Sequence, residues 1–248
     1  MYQYDSVFYD YISKGAIASA EVVLPLVGRH LPVASVVDFG CGQGAWLSVW
    51  RQLGAERVCG VDGDYVSSDA LLIPADEFEP RDLSRPIDLG RRFDLVQCLE
   101  VAEHLPAAVA DTLIGTLVAH GDLVLFSAAP PGQGGEHHIN EQPYEYWRDR
   151  FSRHGYVLID WLRPRLVSQH VVEPWYRYNI FLYVNAARLR SLPPELADCR
   201  VPDGVPIPDI SPPLYRLRKA ILRLLTPRAY TWLAILKKRF VVATRAAR

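Results

Sequence analysis

The stretch SVVDFGCGQGAWLSVWRQLG, residues 35–54, restricts the chain to few folds. Residues 35–39 are a short apolar run broken only by Ser35 and Asp38, which suits a strand. Gly40, Gly42 and Gly44 then make a turn, and Trp46, Leu47, Val49 and Trp50 supply the apolar face of a helix. A strand that passes through a glycine turn directly into a helix is the opening unit of a parallel sheet. The pattern recurs. RVCGVD at 57–62 reads as a second strand ending in an acid, 93–98 as a strand, 107–119 as a helix and 122–127 as a strand. A helix over 144–154 and strands over 156–161 and 178–184 follow, the last two expected as an antiparallel pair at one sheet edge. The expected fold is α/β: a doubly wound, mostly parallel sheet covered on both faces, with an antiparallel edge strand and a C-terminal helical tail.

With 248 residues, 50% of them hydrophobic and 22% charged, the chain suffices for one well-buried domain and an appendage, which excludes disordered and collagen-like classes. Cys41, Cys59, Cys98 and Cys199 form no CxxC pair, and three of them lie in or beside apolar runs. They read as reduced thiols, which favours a cytoplasmic protein. The N-terminal MYQYDSVFYDYISKG has no basic-then-apolar signal segment, and no uncharged apolar run is long enough to span a bilayer. The net charge of −1 conceals a split: residues 212–248 hold ten Lys or Arg and no acid, leaving 17 basic against 28 acidic groups before them. Four segments are expected. Residues 1–30 form a helical lid carrying Tyr2, Tyr4, Tyr9 and Tyr11, which ordinary packing of the first helix explains as well; 31–190 the main domain; 191–213 a Pro-rich linker; and 214–248 a basic amphipathic tail divided by Pro227.

In an open parallel sheet, ligands bind at the carboxyl ends of the strands. Gly40, Gly42 and Gly44 sit at such an end, where backbone N–H groups and a helix N-terminus can meet a ligand. Asp62, 24 residues after Asp38, is placed to accept ribose hydroxyls. A dinucleotide fingerprint is GxGxxG, whereas residues 38–44 read DFGCGQG, an acid before GxGxG. This order resembles motif I of class I S-adenosylmethionine-dependent methyltransferases, which have a Rossmann-like fold. The resemblance extends over roughly residues 30–185. It implies that Asp38, Gly40, Gly42 and Gly44 lie under the amino acid part of the cofactor and that Asp62 binds its ribose. It further implies that Asp82 and Leu83 meet the adenine, and that FDLVQCLEVAEHL, with Leu99, lies beneath the methyl-donor end.

Glu100, Glu103 and His104 form ExxEH just after the 93–98 strand. If a helix starts here, positions i, i+3 and i+4 bring two carboxylates and an imidazole to one face. Hard oxygens with one His suit Mg²⁺ or Mn²⁺, which would assist ionisation of a hydroxyl. The turn resembles that of ubiquinone-biosynthesis and small-RNA 3′-terminal 2′-O-methyltransferases. A metal-free reading stands beside it: similar residues hold the turn in many class I enzymes.

PGQGGEHHINEQPYEYW, residues 131–147, follows the 122–127 strand at the same edge. It lacks the Lys-Ser/Thr of a phosphate loop. His137, His138 and His104 are the candidate catalytic residues: one of the adjacent pair can complete a metal set of Glu100, Glu103, His104 and His138 while the other takes a proton. The alternative is a surface loop with Asn140 capping the next helix. The stretch resembles PGQGG..H.NEQ..YW of bacterial methyltransferases encoded beside glycosyltransferases. That likeness implies O-methylation of a saccharide or glycoconjugate hydroxyl, with a phenol, a quinone or an RNA 3′ end as rival acceptors and a non-catalytic cofactor-binding protein as the rival outside enzymes. Trp147 and Tyr146 read equally as helix core. The apolar content of the tail favours contact with a membrane surface or a dimer partner over nucleic acid.

Overall fold

The computed structural model describes residues 6–224. Tyr2, Tyr4, the side chains of Tyr9 and Tyr11, and tail residues 225–248 with Pro227 lie outside the described residues. The strands are β1 (Ser35–Phe39), β2 (Arg57–Asp62), β3 (Phe78–Pro80), β4 (Leu95–Leu99), β5 (Leu123–Ser127), β6 (Tyr156–Ile159) and β7 (Phe181–Asn185). They form one sheet in the order β3-β2-β1-β4-β5-β7-β6, parallel from β3 through β5, with β7 antiparallel to both neighbours. Every residue of β1, β4 and β5 is buried, which is why these strands read as apolar runs and not as alternation.

The helices are α1 (Ser6–His30), α2 (Ala45–Gln52), α3 (Ala110–His120), α4 (Tyr144–Arg153), α5 (Leu162–Leu166), α6 (Pro174–Asn179), α7 (Pro194–Ala197) and α8 (Pro213–Leu222). On one face α1, α2, α5 and α6 enclose a core around Leu24, Leu47, Trp50 and Trp161. On the other, α3 and α4 cover Phe126, Phe151 and Tyr183, with the Phe151 and Tyr183 rings stacked at 3.8 Å. Trp147 is 2% exposed and lies 5.3 Å from Phe126, so the aromatic end of the 131–147 motif belongs to this core. Among the described residues no helix is long and apolar enough to cross a membrane.

Three segments differ from the sequence expectation. Residues 178 and 179, expected to open a strand, instead close α6, which starts at Pro174, a residue whose φ is already suited to a first helical turn. ExxEH does not open an α-helix. Glu100 has φ of 57°, only Ala102–His104 makes a 3-10 turn, and Leu105 is held extended before Pro106. The Pro-rich stretch is not a free spacer. Val201 N donates to Leu158 O, Asp160 N donates to Cys199 O, and Leu192, Leu196 and Ile207 are buried. It covers the otherwise open edge of β6.

Candidate active site

Strand order reverses between β1 and β4, and the crevice beyond their carboxyl ends is where this architecture places ligands. Gly40 N donates to Val61 O at 2.7 Å, drawing the glycine turn back over β2. Gly40 has φ of 86°, and a Cβ there would lie 2.2 Å from Val101 Cγ2. Only glycine fits on both grounds. Asp62, 5% exposed, accepts Gly42 N through Oδ2 at 2.7 Å, and Gly63 N and Tyr65 OH through Oδ1 at 2.7 and 2.5 Å. The residue read from the sequence as a ribose acceptor thus fastens the glycine turn. Burial raises its carboxyl, opposed by those three hydrogen bonds.

Asp38 lies beneath the turn at 3% exposure and accepts Gln97 Nε2 at 3.5 Å. Gln97 Oε1 is itself held by Trp50 Nε1. Burial first, and then the neighbouring Asp62, push Asp38 up to about 7. Ser13 Oγ donates to Gln43 Oε1 at 2.9 Å, joining α1 to the turn. Asp82 stands exposed, held low by hydrogen bonds from Ser84 Oγ and N. Leu83 and Leu99 are buried in the two opposite cores.

Glu103, His104 and His138 converge, with one potential ligand atom from each lying within 4.8 Å of the others. Glu103 is fully buried, and among the described residues neither of its oxygens finds a hydrogen-bond donor; Glu100 Oε1 is in the same state. Burial and mutual repulsion raise Glu103, and burial raises Glu100. His104 Nδ1 faces His137 O at 3.2 Å, and a carbonyl only accepts, so His104 carries its proton on Nδ1 and its lone pair on Nε2. His138 Nδ1 faces Glu141 Oε1 at 2.9 Å, and a carboxylate only accepts, so this nitrogen carries a proton. Burial and the neighbouring His138 push His104 down to about 3, so it is neutral. Buried carboxylate oxygens lacking donors, beside two imidazoles whose other nitrogens are fixed by a carboxylate and a carbonyl, fit a divalent cation. His137, with φ of 62°, joins the cluster through its carbonyl.

The loop that supplies His138 is closed on itself. Glu141 accepts Gly132 N through Oε2 and Gly134 N through Oε1, both at 2.7 Å. A Cβ on Gly135 would lie 2.1 Å from His138 Nε2, so this glycine makes room for the imidazole. Ile139 N and Asn140 N donate to Glu103 O at 2.9 and 3.0 Å, and Asn140 Nδ2 donates to Ala102 O at 3.3 Å. Asn140 thus ties the loop to the ExxEH turn and does not cap α4, whose cap position is Pro143. Gln133 Nε2 reaches Glu100 Oε2 at 2.6 Å, and Tyr144 OH donates to Asn179 Oδ1 at 2.9 Å.

Sequence reasoning assigned no role to Gln133, Glu141, Tyr144 or Asn179. The one available signal was the density of amide and acid side chains in a short glycine-rich loop.

Residues 12–165 match the family model described as a methyltransferase domain. Among solved structures, the chain is similar to magnesium protoporphyrin IX methyltransferase (ChlM) from Synechocystis PCC 6803 with bound SAM, at 21% identity and TM-score 0.51 over 75% of this chain and 86% of that one. It is also similar to SAM-bound CalS10, an amino pentose methyltransferase from Micromonospora echinaspora, at 15% identity and TM-score 0.52, covering 75% of this chain and 99% of that one. An O-methyltransferase family protein from Burkholderia thailandensis shares 14% identity and TM-score 0.52 over 71% of this chain and 56% of its own. At these identities the likeness is one of fold. No curated protein matches the chain.

Proposed function

Because this chain belongs to the methyltransferase-domain family and is a class I S-adenosylmethionine-dependent methyltransferase, we propose that it methylates a hydroxyl of a saccharide or glycoconjugate with help from a divalent cation. The observation that carries this reading is the meeting of Glu103, His104 and His138, two imidazoles and a buried carboxyl, beside the glycine turn. CalS10, an amino pentose methyltransferase, has a similar fold and supports a sugar acceptor.

Asp38, Gly40, Gly42, Gly44 and Asp62 would hold S-adenosylmethionine, whose sulfonium supplies the methyl group. Glu103, His104 and His138, with Glu100 alongside, would hold Mg²⁺, which when bound lowers the cost of ionising an adjacent hydroxyl. The chain's own tasks are alignment and proton removal. The oxygen of the acceptor bonds to the methyl carbon as the carbon–sulfur bond breaks, leaving a neutral thioether and a proton. We assign that proton to His137, since Nδ1 and Nε2 of His138 are committed to Glu141 and to the cation set. The loop 131–142 forms the acceptor wall, with amide and acid groups suited to sugar hydroxyls.

The test is a screen with labelled S-adenosylmethionine across mono- and oligosaccharides, free and lipid-linked, with Mg²⁺ or with chelator. Methylation of a saccharide that chelator abolishes is expected. Turnover only on phenols or an RNA 3′ end would overturn the acceptor assignment, and cofactor binding with no turnover on any acceptor would favour a non-catalytic protein.

A further inference from the structure

Helix α8 has two faces with opposite fates. Its inner face is fixed to the body: Lys219 Nζ, in a residue 2% exposed, meets Asp209 Oδ2 at 2.6 Å. Arg218 donates to Gln133 O at 2.8 Å, and Arg223 donates to Pro131 O at 2.9 Å. A Cβ on Gly132 would lie 2.2 Å from Lys219 O, so helix and loop are in backbone contact. The outer face carries Leu214, Leu217, Ile221 and Leu224 at 81%, 57%, 55% and 85% exposure. Leu214, Leu217 and Ile221 follow a 3-4 spacing, which at about 100° per residue makes one stripe along α8, and Leu224 follows in the turn just past the helix.

We propose that this stripe docks α8 on an anionic lipid surface. On the helix circumference Arg218 borders one side of the stripe and Arg216 lies beyond the other, the arrangement that lets aliphatic groups enter the headgroup boundary while guanidinium groups meet phosphate. The hydrogen bonds of Arg218 and Arg223 go to carbonyl oxygens, so both keep their full positive charge. From Pro212 onward the sequence has ten basic residues and no acid, so nothing of opposite sign there offsets attraction to an anionic surface. Single-stranded nucleic acid would be met by exposed aromatics for base stacking, and this face has four aliphatic residues instead. Docking sets the loop 131–134 behind α8, one helix diameter from the lipid surface, because that loop is what the inner face of α8 holds.

The test uses the full chain and vesicles of phosphatidylcholine alone or with about a third phosphatidylglycerol, read by co-sedimentation at low and high salt. Salt-sensitive binding to the anionic vesicles is expected. Leu217→Glu with Ile221→Glu should weaken it about tenfold or more while S-adenosylmethionine affinity is unchanged. Arg216→Glu, which leaves the aliphatic stripe intact, should weaken it less and reduce its salt dependence. No binding to anionic vesicles, equal binding to uncharged ones, or full binding by all these variants would overturn the proposal. So would the Leu217 and Ile221 changes abolishing self-association or RNA binding with vesicle binding unaltered. None of these readouts depends on which acceptor is methylated.

Discussion

Gln133 donates Nε2 to Glu100 Oε2 at 2.6 Å while its Oε1 accepts Asn179 Nδ2 at 2.6 Å, so one amide joins the loop 131–142 to the ExxEH turn and to α6. Gln133→Ala removes both bonds and leaves buried polar groups unpaired, at a cost of about 1–3 kcal/mol. The expected outcome is a lower Tm and reduced kcat with S-adenosylmethionine affinity preserved. Gln133→Glu should be worse than Gln133→Ala, because it sets a carboxylate against Glu100. Thermal melts, cofactor titration and kcat measurements check this together.

Removal of divalent cations should abolish turnover, and Mg²⁺ or Mn²⁺ should restore it. Glu103→Gln and His138→Ala should each lower kcat by about 10²-fold or more with little change in cofactor affinity, in line with the loss of a metal ligand. Full activity in chelator, or wild-type turnover by Glu103→Gln, would show that the cluster is structural.

Gly40→Ala places a side chain at φ of 86° and 2.2 Å from Val101 Cγ2. Strain of about 1–3 kcal/mol is expected from the backbone alone, with steric displacement added. Calorimetric titration should show cofactor affinity falling at least tenfold. Adding Val101→Ala should recover part of the loss but not all of it, because the smaller neighbour relieves the contact and not the dihedral.

Asp38, ordinarily ionising near 3.8, is pushed up to about 7 in the folded chain without cofactor. Between those values the folded chain holds a proton that the unfolded chain has lost, so this group makes the unliganded protein less stable as pH rises from about 4 to 7. Cofactor binding has the opposite trend. A cationic ligand prefers ionised Asp38, so affinity should rise with pH through about 7 and level off above it. Asp38→Asn should flatten both profiles, measured by melts without cofactor and by titration with it. A variant that keeps the wild-type slopes would assign them to another group.

The sheet and its glycine turn were readable because each depends on neighbours in sequence. Residues 35–39 are uniformly buried, and the turn after them shows its glycines openly. ExxEH was read as one face of a helix, yet its carboxylates meet through a positive φ at Glu100 and a 3-10 turn that Pro106 cuts short. The meeting of Glu103, His104 and His138 was visible only as a shared sheet edge, since Ile139 and Asn140 bonding to Glu103 O is a contact between distant segments. Glu141 gave no sign. Its partners are backbone N–H groups, and any residue type displays those equally. The Pro-rich segment misled for a related reason: composition suggests an extended spacer, whereas an unpaired strand edge at β6 decides where it rests.

The clasp of Glu141 on Gly132 and Gly134 pins the loop at its neck. Between neck and turn, His137 meets His104 through its carbonyl, a group that every residue type displays. Acceptor preference and loop architecture are thereby separable in this chain. On the proposed reading, a new substrate would be acquired by exchanging a few side chains on a loop whose neck is already set.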